Sequence, residues 1–147
     1  MTPNELEKYL HEHIPVSHMM QVAVITIEND SVVLRAPLAP NINHRETVFG
    51  GSASAIAILA AWSLLHVRLR RAGFSSRLVI QRNTMEYELP ISGDFIARSF
   101  LNNPEKWESF LNMLSRKGKA RISVASVLEY EGGTAGTFLG DFVALST

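Results

Sequence analysis

The sequence contains no cysteine. Disulfides, thiolate nucleophiles and cysteine-ligated zinc are therefore excluded. Excess charge of one sign is also missing, since 14 Lys and Arg stand against 14 Asp and Glu. No net field is available to draw in nucleic acid or an anionic membrane surface. A secretory leader is not expected, because residues 1–13 alternate charge with apolarity and lack a long apolar core. No membrane span is expected either. The longest apolar run, residues 55–65, is interrupted by Ser63 and followed by His66, Arg68, Arg70 and Arg71, which is too short and too soon charged. What is present is ordinary for a globular protein: 147 residues, 46% hydrophobic and 19% charged. The expectation is one domain over residues 1–147, in a reducing cytoplasm, large enough to bury a real core.

Thr2-Pro3-Asn4-Glu5 reads as a helix start with a capping box. Leu6, Tyr9, Leu10 and Ile14 then share one face, and Pro15 is expected to end the helix. Residues 21–28 and 31–36 read as a hairpin turned by Asn29-Asp30. Pro37 and Pro40 bracket a loop reaching Gly50. From Gly51 to Ala72 the pattern is helical and apolar almost all round, so the helix is expected to be wrapped by other structure. Residues 76–89 form a long strand stopped by Pro90, followed by strands over 95–100, 120–130 and 134–145. A short helix carrying Trp107, Phe110, Leu111 and Leu114 on one face is inserted among them. Strands around one all-apolar helix have a simple solution, a curved antiparallel sheet that buries the helix. A sheet edge and one helix flank would remain open, so a homodimer joined edge to edge, or a tetramer, is the expected unit.

The segment Asn43-His44-Arg45-Glu46-Thr47-Val48-Phe49-Gly50-Gly51 resembles the loop of hotdog-fold thioesterases that leads into the central helix through an Asn, a Thr and a Gly-Gly pair. The stretch from Asn83-Thr84-Met85-Glu86 through Pro90-Ile91-Ser92-Gly93-Asp94 is similar to that family's third strand, which ends in Pro followed by Gly-Asp. The order and spacing of these features, over residues 20–146, are most similar to the YiiD C-terminal type of thioesterase. The resemblance implies an α+β hotdog fold. It also implies an acyl thioester substrate carried by coenzyme A or an acyl carrier protein, with coenzyme A or phosphopantetheine belonging to the substrate and no separate cofactor.

Thioester hydrolysis needs a polarised carbonyl and an attacking water. Amides at a helix N-terminus polarise a carbonyl well, and Gly50 and Gly51 offer them without obstructing side chains. The same glycines could simply make a sharp turn. The resemblance places Asn43 facing the thioester to orient water or carbonyl. The competing reading is an Asn that folds its own loop. Thr47 reads as a loop brace, and Ser52 and Ser54 as first-turn residues without a base beside them. Thr47, Phe49, Ser52 and Met85 are the candidate substrate contacts. Phe49, Ile56, Leu59, Trp62 and Met85 could line an acyl tunnel but are equally core residues.

The main departure from the family pattern concerns the general base. Related thioesterases carry an Asp or Glu about two turns after Gly-Gly, a position occupied here by Ile58, and no carboxylate lies between Glu46 and Glu86. Glu46 and His44 are the substitutes in reach of the loop. Glu86 and Glu88 share one strand face, opposite Tyr87, and read as solvated charges. His66 falls on the same general helix face as Ile58 and reads as a core histidine. His11, His13 and His18 show no ligand spacing, so no metal site is expected. Arg68, Arg70, Arg71, Arg77, Arg82, Lys117, Lys119 and Arg121 could meet a carrier's phosphates. Three functions remain open at this point: a thioesterase, a non-catalytic acyl-binding module with the same pocket, and, more weakly, a dehydratase that opposes a His and an acid.

Overall fold

The computed structural model describes residues 1–147. It opens with α1 (Pro3–His13), whose capping box forms as expected between Thr2 and Glu5 and which buries Leu6 and Leu10. As expected, Pro15 marks the end of α1, whose last helical residue is His13. Pro15 itself occupies the first turn of a second short helix, α2 (Pro15–Met19), where its missing N–H costs nothing. The hairpin follows as β1 (Ala23–Ile27) and β2 (Val32–Ala36), with Ala23 opposite Arg35. Then come α3 (Gly50–Arg71), β3 (Ser76–Tyr87), β4 (Phe95–Leu101), α4 (Trp107–Lys117), β5 (Lys119–Tyr130) and β6 (Gly133–Ser146).

The strands form one antiparallel sheet in the order β1-β2-β4-β5-β6-β3. Irregularities in the β1–β2, β3–β6 and β5–β6 ladders bend it. Helix α3 lies against β2, β3, β4, β5 and β6. Its small residues Ala53, Ala57, Ala60 and Ala61 let the sheet approach, and Ile56, Leu64 and Leu65 fill the remaining space. Ser126 on β5 is buried because its hydroxyl donates to the Ala57 carbonyl at 2.8 Å, pinning sheet to helix. By length and composition alone α3 could cross a membrane, but 61% of its apolar window is buried inside the protein. Gly73, at φ 85°, closes the helix while Phe74 N–H donates back to Leu69, as a left-handed cap does.

Strand β3 is one edge of the sheet and runs 12 residues, against 5 for β1 at the other edge. Its pairing stops at Tyr87 rather than at Leu89, because the amides of Glu88 and Leu89 both converge on the Ala135 carbonyl. A long helix held against a bent antiparallel sheet is the hotdog arrangement expected from the sequence.

Candidate active site at the start of the central helix

Most of what positions the site lies in the loop from Pro37 to Phe49. Asn41 is buried and donates to the carbonyls of Met20 and Pro37 at 3.0 and 2.8 Å, tying the loop to α2. Its own carbonyl receives the Phe49 amide at 2.7 Å. Asn43 uses both ends of its side chain within the loop. Its Oδ1 accepts from the amides of Arg45 and Thr47, and its Nδ2 donates to Thr47 Oγ1 at 2.9 Å. Any direct contact of Asn43 with a substrate would come at the expense of these bonds. Thr47 returns the bracing through its carbonyl, which accepts from Asn43 N–H at 2.8 Å. The loop tip, His44 to Glu46, is exposed. Glu46 sits at φ 64°, a left-handed turn, and neither it nor His44 makes a side-chain hydrogen bond.

The loop delivers the chain into α3 through Phe49, an N-cap with no side-chain hydrogen bond to the helix. Ala53 N–H bonds Phe49 O at 3.0 Å, whereas the amides of Gly50, Gly51 and Ser52 have no acceptor. No acidic residue stands in the first turn, so the positive end of the helix dipole is uncompensated. Phe49 is more than half exposed, and its ring lies directly over Gly51. A Cβ on Gly51 would stand 2.3 Å from Phe49 Cε2. A side chain on Gly51 would therefore displace the exposed Phe49 ring. At Gly50 a Cβ would meet the Tyr87 ring at an ordinary 3.5 Å.

Tyr87 escaped the sequence reading as a site residue. Its hydroxyl donates to Gly50 O at 3.3 Å. Beside it a cavity of about 210 Å³ is lined by Val48, Ala53, Tyr87, Glu88, Ile91 and Leu128, among others. Glu88 is the carboxylate that the structure sets at this cavity. Met85 is half-buried against the core, its terminal methyl close over Gly136. Of the possible tunnel residues, Leu59 and Trp62 line a second, wholly apolar cavity of about 220 Å³, and Ile58 joins them there. Ile56 is fully buried in the core.

The charged and histidine candidates disperse. Arg68 pairs with Asp30 at 3.5 Å and lies over Trp107. Arg71 reaches Asn29, Arg82 pairs with Asp141 and Arg121 donates to Gln81. His66 stacks on both Trp62 and Tyr9, which also stack on each other. Burial, with the nearby charges of Arg70 and His13, pushes its pKa down to about 4. No group of His, Asp and Glu converges as a metal site would.

The fold recurs in known proteins. A family model described as "Putative thioesterase (yiiD_Cterm)" matches residues 3–146. A Chlorobaculum tepidum protein of unknown function is similar in structure, with TM-score 0.92 and 28% identity over 99% of this chain and 98% of that one. A Shewanella oneidensis protein described as a putative thioesterase gives TM-score 0.88 and 26% identity over 97% and 96%. A Pseudomonas aeruginosa protein described as a probable thioesterase shares the fold at TM-score 0.81 and 23% identity, over 99% and 97%. With nearly its whole length matched, the chain belongs to the YiiD C-terminal thioesterase-type family.

Proposed function

We propose that the protein hydrolyses an acyl thioester carried by coenzyme A or an acyl carrier protein, at the start of α3. One observation carries the reading. The amides of Gly50, Gly51 and Ser52 lack acceptors at the head of a 22-residue helix, beside the cavity that Tyr87 and Glu88 line. The thioester oxygen accepts from the glycine amides, and the helix dipole favours the negative charge that develops on it. Water adds to the carbonyl carbon, the C–S bond breaks, and the thiol leaves with the proton taken from water. Asn43 and Thr47 act as positioning residues that hold the loop and so aim the amides.

With Ile58 in the family's carboxylate position, the proton acceptor must come from elsewhere. Glu88 lines the cavity and is the first choice. Glu46 and His44 are the alternatives on the loop tip. Thiol release by Glu88→Gln, Glu46→Gln and His44→Ala assigns the role, and loss confined to one variant identifies the base. The long unpaired edge of β3, with Val79 and Tyr87 exposed along it, supports a homodimer formed by edge pairing, with a tetramer as its further assembly.

The second reading, a non-catalytic acyl-binding module, is favoured by Ile58 alone. The deciding experiment follows thiol release from acyl-coenzyme A substrates of graded chain length. Turnover that collapses in a variant lacking a glycine amide supports hydrolysis. Tight binding with no thiol released overturns it in favour of the binding module.

A further inference from the structure

One flank of α3 stays half-open between β3 and the segment from Ile14 to Met20. It carries Gly51, Ala55, Ile58 and Trp62, at spacings that place them on a single helix stripe. At 1.5 Å rise per residue the stripe runs roughly 10 Å from Gly51 to Ile58 and roughly 16 Å to Trp62. The apolar cavity lies on this stripe. It holds about 220 Å³, and Ile14, Val16, Ala55, Ile58, Trp62 and Ile80 are among its lining residues, every one of which is apolar. An apolar void of about 150 Å³ already takes up benzene, so a larger hydrocarbon fits here. The acceptor-free amide of Gly51 stands at the head of the same stripe.

The stripe changes character at Trp62. The indole Nε1 donates to the Leu78 carbonyl at 3.2 Å. Its ring stacks on His66 with centroids 4.8 Å apart and planes at 13°. His66 and Leu78 both line the next cavity, a polar one of about 330 Å³ that also contains Tyr9, Arg70, Ser75 and Ser76. Arg70 has no carboxylate partner there. Trp62 therefore stands as a fixed partition, with hydrocarbon walls on one side and polar groups on the other.

We infer that the apolar cavity receives the tail of a straight-chain acyl group of medium length, and that Trp62 is its end stop and sets the chain-length limit. This rests on the thioester reading, in which the carbonyl sits at the Gly50–Gly51 amides and the chain runs down the stripe. The same reading explains Ile58. A carboxylate there would face only apolar lining groups and be unpaired, whereas an isoleucine extends the greasy wall.

The test uses S-alkyl coenzyme A thioethers of graded length, which cannot be hydrolysed. Binding is read from the emission of Trp62 in a Trp107→Phe background, since the chain has only 2 tryptophans. Each added methylene should tighten binding about fourfold, the equivalent of ~0.8 kcal/mol, until the chain meets Trp62 and the gain stops. In Trp62→Ala, followed by calorimetry, the gain should continue to longer chains. In Ile58→Phe, which narrows the cavity, it should stop earlier, so the inference stays testable if the first variant fails to fold. A stopping point that neither variant moves would overturn it. So would Trp62 emission that responds to protein concentration and not to the thioether, which would assign the cavity to a second copy of the chain. Loss of chain-length dependence with thiol release from short acyl thioesters intact defeats the tail pocket alone. Shifted stopping points without any thiol release keep the pocket and defeat hydrolysis.

Discussion

Tyr87 Oη donates to the carbonyl oxygen of Gly50 across 3.3 Å, joining the last residue of β3 to the first residue of α3. The Gly50 carbonyl and the acceptor-free Gly51 N–H belong to one planar peptide unit, so the bond steadies the direction of that N–H. It is solvent-exposed and contributes little to folding. A neutral hydrogen bond is worth about 0.5–1.5 kcal/mol, which as transition-state positioning corresponds to roughly a 2- to 12-fold change in rate. Tyr87→Phe should lower kcat for thiol release within that range, leave KM nearly unchanged, and leave the urea midpoint where it was. A large drop in stability would show that the phenol is a structural strut instead.

The contribution of the Gly50 amide can be isolated with a pair of substitutions. Gly50 is the first residue of α3 and Phe49 before it has extended backbone, φ −58° and ψ 132°. Both features accept proline at position 50. A Cβ there finds only an ordinary contact with Tyr87. Gly50→Ala should therefore keep most activity, whereas Gly50→Pro removes the N–H. Where this amide holds the oxyanion, the loss should be about 10²–10³ in kcat, with the circular dichroism unchanged. Equal activity in the two variants would pass the role to Gly51 and Ser52.

Much of this architecture could be read from residue order. A long stretch of small and apolar residues between a glycine pair and an arginine-rich end can only be a wrapped helix, and β-branched runs on either side supply the wrapping. The misses share a physical cause. Pro15 reads as a stop and α1 does end before it, but the same fixed φ also starts α2, a helix too short for periodicity to mark. Glu88 reads as a solvated charge and Tyr87 as a residue of the opposite strand face, because strand alternation reports only which face they occupy. Their meeting with the helix start depends on the β3–β6 register and on the irregularity between Ile80 and Arg82, which no local pattern encodes. Asn43 was legible as a residue of the loop, but the way its amide is used there depends on the folded position of Thr47. Ile58 was legible as the missing carboxylate, while the apolar cavity behind it appears only when Val16, Ile80 and Phe142 are brought together.

Ser126 offers a stability prediction independent of the chemistry. Its hydroxyl is buried and donates to Ala57 O at 2.8 Å, in the middle of the helix–sheet contact. Ser126→Ala removes the donor but leaves a carbonyl that still belongs to the helix ladder. The cost should be about 1 kcal/mol, read as a lower urea midpoint at constant m-value. Ser126→Val keeps the bulk, adds a methyl against a packed helix, and should cost more.

His66 predicts how stability depends on pH. In the folded protein burial is the largest influence on it, followed by the charges of Arg70 and His13, and its pKa falls from the usual 6.5 to about 4. Its Nε2 is buried without a hydrogen-bond partner. In the unfolded chain the ring takes up a proton near pH 6.5, while the folded protein resists protonation until about pH 4. Between those values the unfolded state binds more protons, so stability falls as pH is lowered. The contribution is complete above 6.5 and gone once pH has passed below the folded value. Asp141 does not confuse this window, because the Ser123 hydroxyl, at 2.6 Å, and Arg82 hold its carboxyl below the usual range and ionised. His66→Phe preserves the stack with Tyr9 and Trp62 but cannot titrate. Urea midpoints of the wild type should drop between pH 7 and pH 5 by more than those of His66→Phe. Parallel slopes for the two proteins would mean that the ring is more accessible to protons than its packing implies.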